Sequence, residues 1–447
     1  MAIDRSTLTS SEREKASVFH SWSAQASINP LMVKDAKGVY VTGEDGTTYL
    51  DLSSQLVNTN IGHQHPSVVR AIQEQAQTLC TIAPQHGYVS RYRAAELIVD
   101  RSFEGAAKVF FTNGGTEAME HAVRMARLFT GRHKVMSAYR SYHGATATSI
   151  NLTGDPRRWP NDTGSAGVLH FFGPFLYRSA FHAMTEDQEC ARALENLEEM
   201  IRFEGPTSIA AIVLETIPGT AGIMVPPAGF LAGVRTICDR YGIVYIADEV
   251  MCGFGRTGSW FAFQQHNVKP DLVVFAKGVN SGYVPLGGVI LNEAISASFN
   301  ERVYPGGLTY SGHPLACASA VATIEAMETE GIVENAKRIG DEVLRPGLEA
   351  LAAKHRIIGD VRGLGVFFAL ELVTDRATKE PLAPYGTTSV AMNDIVTASR
   401  NEGLLIFTNY NRIHVVPPCT ITAEEARDGL ERLDRALSVA DHYYSGE

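Results

Sequence analysis

The chain has 447 residues, about three times the roughly 150 residues of a soft per-domain prior, so one small domain is excluded and two or three lobes are expected. With 45% hydrophobic and 20% charged residues it has an ordinary globular composition, which leaves disordered, collagen-like and coiled-coil classes without support. The 39 basic against 49 acidic residues give a net charge of −10 with no basic arm or stripe, which argues against nucleic acid as a partner.

The opening MAIDRSTLTSSEREKASVF lacks the basic end and apolar core of a secretory signal, and no window offers about eighteen uncharged apolar residues. The expectation is a cytoplasmic protein with no membrane partner. Within residues 1–70, VYVTGEDGTTYLDLSS reads as a hairpin turning at Asp45-Gly46, and we assign this segment to the same lobe as the C terminus. His63 and His65 in GHQHP form one His-x-His without further ligands, so no metal is expected there.

From Ala106 to Val250, continuous apolar segments (AAKVFFT, HKVMSAY, SIAAIVLE, GIVYIAD) alternate with helical ones such as TEAMEHAVRMARLFTG. Apolar strands without a polar face, alternating with amphipathic helices, predict an α/β fold: a largely parallel sheet covered on both faces. DLVVFAK and GGVIL extend the sheet, and residues 71–318 are read as the large domain. After Pro314 the texture changes. A helical run from Ala316 through Arg356, broken near Gly331 and Pro346, leads to DVRGLGVFFALEL, RIHVVPP and a last helix from Ala423, which reads as a smaller α+β lobe over residues 319–447. The six cysteines contain no CxxC pair and read as core thiols. The 40 glycines are a mild excess whose placement is informative.

Two strand ends stand out. IVYIADEV ends an apolar strand with Asp248, and DLVVFAKG ends the next with Lys277. In sheets of this kind ligands collect at the carboxyl ends of strands, where desolvation shifts pKa values. Alone, either residue reads as a strand end emerging into solvent. A third element changes that reading. FFTNGGTEAMEHAVRMAR is a strand, a glycine turn and a helix, with Gly114, Gly115 and Thr116 at the helix start, where free N–H groups and the helix dipole suit a phosphate. A phosphate cradle, a strand-end acid and a strand-end lysine together describe a pyridoxal phosphate site. Lys277 would hold the aldehyde as a Schiff base, and Asp248 would keep the pyridine nitrogen protonated. The displaced lysine amine could then move a proton between the substrate Cα and the cofactor.

With these residues in view, the chain resembles the class III aminotransferases of fold type I, the ω-aminotransferase group, over nearly its full length. The motifs are NIGHQHPSVVRAI, FFTNGGTEAMEHAVRMAR, SYHGAT, IADEVMCGFGRTG, FAKGVNSGYVPLGGVI and GLTYSGHPLACASA. The resemblance implies a mostly parallel seven-stranded large domain with a smaller α+β domain, and ping-pong transfer from an amino donor to a 2-oxo acid. It implies that Tyr142 stacks on the cofactor ring with His143 beside it. It implies further that Val250 packs on the other face and that Glu215 lies near the cofactor hydroxyl. Thr309 would reach the phosphate of a neighbouring subunit, which implies a homodimer with shared sites, a tetramer being the larger alternative.

In many relatives an arginine after a strand near the C terminus holds the acceptor carboxylate. That position falls on Phe407 in GLLIFTNYNRIHVVPP, so either Arg412 bends back as the anion clamp or the acceptor is bound differently. Leu56 and Val57 stand where several relatives carry a large aromatic, which would open the entrance. The aromatics of HFFGPFLYRSAFH and Arg178 are assigned to the same region. These features fit an ω-amino acid or amine as donor, such as taurine, β-alanine or a longer aminocarboxylate, with pyruvate or another 2-oxo acid as acceptor. The alternatives within the family are a 4-aminobutyrate or diamine aminotransferase using 2-oxoglutarate, an aminomutase, a decarboxylating enzyme or a phospholyase. Outside it stand a non-catalytic cofactor-binding protein and a nicotinamide-dependent oxidoreductase. GFGRTG lacks the dinucleotide spacing, which counts against the last.

Overall fold

The computed structural model describes residues 7–161, 164 and 166–446. Residues 1–6, part of the stretch read above as lacking a secretory signal, lie outside the described residues.

The strands are β1 (Val33–Lys37), β2 (Tyr40–Gly43), β3 (Thr48–Asp51), β4 (Ala106–Thr112), β5 (Lys134–Ala138), β6 (Val168–Phe171), β7 (Ile209–Glu215) and β8 (Val244–Asp248). They continue with β9 (Leu272–Phe275), β10 (Gly287–Asn292), β11 (Ile358–Leu364), β12 (Phe367–Asp375), β13 (Glu380–Pro381), β14 (Leu404–Leu405), β15 (Phe407–Asn409) and β16 (Arg412–Val415). The central sheet has seven strands in the order β4-β10-β9-β8-β7-β5-β6. Its pairs are parallel except those of β10, which runs antiparallel to both β4 and β9. The expected mostly parallel α/β sheet is therefore present. β6, hidden in sequence among the aromatics before Phe181, is one of its two edge strands.

The reason β7 has no polar face is visible in where its side chains go. Ala211 and Val213 pack with Met119, Ala122 and Ala126 of the helix Gly115–Thr130. Ile212 and Leu214 pack with Leu197 and Ile201 of the helix Glu186–Glu204 and with Val234 and Ile237 of Phe230–Tyr241. Helices on both sides thus remove both faces from water, and every residue of β7 is buried. The backbone polar groups are paired with β5 and β8, and the one polar side chain of the strand, Glu215, stands at its end.

Two further sheets flank this core. One orders β1-β2-β3-β14, with β14 running parallel to β3, so the N-terminal hairpin is paired to a strand near residue 404. The other orders β11-β12-β16-β15 and is antiparallel throughout. The helical run before it differs in one respect from expectation. Gly331 breaks it in the left-handed region (φ +63°), but Pro346 does not. Pro346 is the second residue of Arg345–Lys354, and a π-helical turn Gly340–Leu344 carries the preceding helix directly into it. The GFGRTG turn joins the layers. Arg256 is fully buried there, donating to the carbonyls of Val366, Val416 and Pro417 through Nη1 and to Asn60 Oδ1 (2.6 Å) through Nη2. Among the described residues no helix is long and apolar enough to cross a membrane.

Candidate active site

Glu215 and Asp248 end two adjacent parallel strands in register, and Lys277 follows the end of the third. Sheet geometry therefore gathers at one edge three groups that are scattered in sequence. Lys277 adopts a left-handed backbone (φ +47°), a conformation that costs a non-glycine residue about 1–2 kcal/mol and persists only where surroundings enforce it. Burial pushes its amine down to about 8, against the pull of Glu215 and Asp248. About a tenth of the amine is thus neutral at pH 7 and half of it near pH 8, far more than for an ordinary lysine, as a nucleophile requires.

Asp248 Oδ2 accepts from His143 Nδ1 (2.7 Å) and Oδ1 from the Val250 N–H (3.0 Å). That bond fixes the histidine tautomer, and its Nε2 is buried without a partner among the described residues. Glu215 accepts from the N–H of Tyr142 (2.8 Å) and of Gly219 (2.8 Å). Burial raises its carboxyl pKa, with His143 opposing and the charge of Asp248 adding to the rise. Glu249, next along, is a different kind of acid: it is fully buried, tied to Thr216 and to the N–H groups of Ala262 and Phe263. It braces the loop rather than facing the cavity.

The helix Gly115–Thr130 begins against this edge. A Cβ on Gly115 would come within 2.9 Å of Val250, whereas one on Gly114 would meet nothing within 4 Å, so the turn has open space before it. The first N–H groups of a helix have no partner within it and are free for an anion. The Thr116 hydroxyl meets Ser149 Oγ (2.8 Å) and accepts from the Ala145 N–H (3.1 Å), which seats the SYHGAT loop on the helix start. The amine at the cavity floor, the acid, the orphaned His143 nitrogen and the open turn fit pyridoxal phosphate.

A cavity of about 580 Å³ opens over Lys277. Tyr142, Leu56 and Phe407 line it, as do Trp22, Pro156, Arg157, Thr220, Met251, Gly386, Thr408, Asn409 and Tyr410. Three expectations fail here, those for Val57, for Arg412 and for the aromatic stretch with Arg178. Val57 does not line it: the backbone inverts at Gln55 and Val57 (φ +60° and +58°), and the side chain turns into a core with Ile217, Ile223 and Phe367. Arg412 does not line it either. Its Nη1 donates to the Ala221 carbonyl and its Nε to Asn409 O (3.1 Å), so two of the three guanidinium nitrogens are engaged with backbone. The aromatic stretch before Phe181 also lies elsewhere. Arg178 pairs with Glu371 (2.6 Å), while Phe175 and Tyr177 line a second cavity with Asp360, Arg362 and Lys379. Thr309 is exposed and outside the cavity of its own chain. The histidines of GHQHP pair singly, His63 with Asp51 (3.0 Å) and His65 with Glu330 (3.2 Å), and no group of three potential metal ligands occurs among the described residues.

Arg157 is the residue that sequence reading missed. Asp155 caps the short helix Pro156–Arg158 and accepts from Arg157 Nε (2.9 and 3.1 Å) and Nη2; Nη2 also donates to Thr220 Oγ1 (2.9 Å). The guanidinium lies 3.6 Å above the Tyr142 ring. Burial opposes its charge, but Asp155 outweighs burial and the pKa is raised. Nη1 makes no hydrogen bond to the described residues, so a tethered cation with a spare donor edge faces the cavity. The Asp-Pro-Arg sequence signals the capped turn; only the fold sets it over Tyr142.

A strand-end lysine and acid on a mostly parallel sheet, beside a glycine turn at a helix start, define a pyridoxal-phosphate-dependent enzyme of fold type I. The profile described as aminotransferase class-III matches residues 22–437, and the chain belongs to that family. It is a pyridoxal-phosphate-dependent aminotransferase, an enzyme that works on an amino donor and a keto acid. Among its relatives, the taurine–pyruvate aminotransferase of Bilophila wadsworthia is 33% identical over 99% of this chain and 100% of its own length. The 5-aminovalerate aminotransferase of Pseudomonas aeruginosa is 35% identical over 90% and 92%. Among solved structures, a taurine:2-oxoglutarate aminotransferase from Bifidobacterium kashiwanohense, in complex with PLP and glutamate, superposes with a TM-score of 0.94 at 40% identity, covering 97% of this chain and 98% of that one.

Proposed function

We propose that this aminotransferase takes its amino group from an ω-amino acid or amino-sulfonate, with β-alanine and taurine as representative donors, and passes it to pyruvate or another 2-oxo acid. The observation that carries the reading is Arg157: a half-buried, permanently charged guanidinium in the cavity, with one edge tethered and Nη1 left for a carboxylate or sulfonate. The relatives named for taurine and 5-aminovalerate support it, since both compounds carry an acid group remote from the amine.

Bound pyridoxal phosphate supplies an aldehyde to take up the donor nitrogen and a ring that accepts the electron pair left at the donor carbon. In this reading Lys277 would hold that aldehyde between turnovers, and its Nζ, once freed, would take up the proton from the donor carbon. Asp248, oriented by His143, keeps the ring nitrogen protonated. Tyr142 and Val250 would hold the ring's two faces, Glu215 would sit at its hydroxyl, and Gly114, Gly115 and Thr116 would receive the phosphate. Thr309, exposed on its own chain, is assigned to the phosphate site of a second copy in a homodimer.

The test is a donor panel of β-alanine, taurine, 4-aminobutyrate and propylamine, with pyruvate and with 2-oxoglutarate, scored by alanine or glutamate formed. Acid-bearing donors should be preferred, and Arg157→Ala should raise their KM by about tenfold or more. Propylamine used as well as β-alanine, or an unchanged KM in Arg157→Ala, would overturn the reading.

A further inference from the structure

Between β7 and the next helix lies a strap, Pro218-Gly219-Thr220-Ala221-Gly222, that belongs to no strand or helix. Its backbone is wound by Gly222 (φ +109°) and Ile223 (φ +53°), and the N–H groups of both return to the Gly219 carbonyl. The carbonyls of Thr220, Ala221 and Gly222 find no backbone partner among the described residues, yet all three residues are buried. Buried carbonyls must be satisfied, and here the C-terminal antiparallel sheet does it one by one. Asn409 Nδ2 donates to Thr220 O (2.7 Å), Arg412 Nη1 to Ala221 O and Arg362 Nε to Gly222 O (2.5 Å). His414 Nε2 donates to Gly219 O (3.1 Å). Four consecutive carbonyls are thus held by side chains from three strands of another sheet.

The glycines follow from that packing. A Cβ on Gly222 would fall 2.5 Å from both Arg362 Nη2 and Arg412 Cδ, and one on Gly219 would fall 2.3 Å from Met251 Sδ. Thr220 sits at the centre of the strap and turns its hydroxyl to Arg157 Nη2 (2.9 Å). Apart from Asp155 on its own turn, Thr220 is the only described group that fixes the guanidinium by a hydrogen bond.

We infer that Arg412, Arg362, Asn409 and His414 are positioning residues, which lock the Gly219–Gly222 strap so that Thr220 aims Arg157 at the donor's acid group. Arg412 and Arg362 act without lining the cavity, and the specificity of the donor site is thereby set from the neighbouring sheet. The inference rests on the reading of Arg157 as the donor's anion site.

The test uses the holoenzyme and the rate at which β-alanine or taurine converts the cofactor in a single turnover, followed by absorbance. Methoxyamine, a small amine nucleophile without an acid group, provides the parallel rate. Arg412→Met should slow the acid-bearing donor about tenfold and leave the methoxyamine rate within about twofold, because a hydrogen-bonded charge loses its aim while the cofactor site stays intact. In an Arg157→Ala background, Arg412→Met should cost nothing further. Equal losses in both rates would mean general loosening and would overturn the inference. So would an unchanged donor rate in Arg412→Met while Arg157→Ala is slow. An Arg157→Ala enzyme as fast as the unmutated one overturns the donor reading itself, and the strap with it. Should Arg412→Met fail to fold, the isosteric Thr220→Val removes only the last link and must show the same selective loss; equal rates there also refute the proposal.

Discussion

Glu371 is the carboxylate on which the arginines around the strap depend, and replacing it by glutamine should cost the fold about 3 kcal/mol at neutral pH. It lies on β12 at 3% exposure, where Oε1 accepts from Arg178 Nε (2.6 Å) and Oε2 from Arg362 Nη2 (2.7 Å). Burial alone would raise its pKa, but Arg362 and Arg178 outweigh burial and hold it down at about 2, against 4.5 for an ordinary glutamate. A depressed folded-state pKa contributes stability above the unfolded value and loses it as pH falls toward the folded value. At about 1.4 kcal/mol per unit the difference gives the figure of about 3 kcal/mol, an order-of-magnitude value. Glu371→Gln mimics the protonated acid. Urea midpoints of the two proteins, measured from pH 7 downward, should therefore be far apart at neutral pH, begin to converge near pH 4.5 and approach each other toward pH 2. A gap that stays constant from pH 7 to pH 3, or one below about 1 kcal/mol at pH 7, would refute the account of Glu371 as a working counter-charge.

Two more outcomes follow from the same geometry. Because burial lowers the Lys277 amine to about 8, its neutral form dominates above that pH, so cofactor rebinding by apo-enzyme should accelerate up to about pH 8 and then level. An inflection near 10.5 would show an ordinary, solvated lysine. Gly222→Ala combines a left-handed φ of +109° with a Cβ 2.5 Å from Arg412 and Arg362, and should lower stability by about 2 kcal/mol, read from the urea midpoint, while raising the KM for acid-bearing donors. Wild-type stability in that variant would mean that the strap is not held as described.

Much of the fold was legible because its signals are local. The apolar runs of β7, β8 and β9 are uninterrupted since helices cover both faces, and that requirement is written into each strand separately. Lys277 and Asp248 stood out for the same reason: a single charge ending a buried strand is a local anomaly. The edge strand β6 was not legible, because its four residues sit among aromatics that any core element would carry.

The sequence by itself thus determined the sheet, the strand-end acid and lysine, and the glycine turn, since each depends on residues that are neighbours along the chain. Only the tertiary structure decided who faces the cavity. Leu56 and Val57 are adjacent, yet an inverted backbone sends one to the cavity and the other to the core. Arg412 and Arg157 are both arginines near aromatic and asparagine or aspartate residues, but one is turned to the backbone carbonyls of Ala221 and Asn409 and the other lines the cavity with Nη1 unbonded to the described residues. Those outcomes turn on hydrogen-bond partners brought together by docking two sheets, and no periodicity along a single segment encodes them.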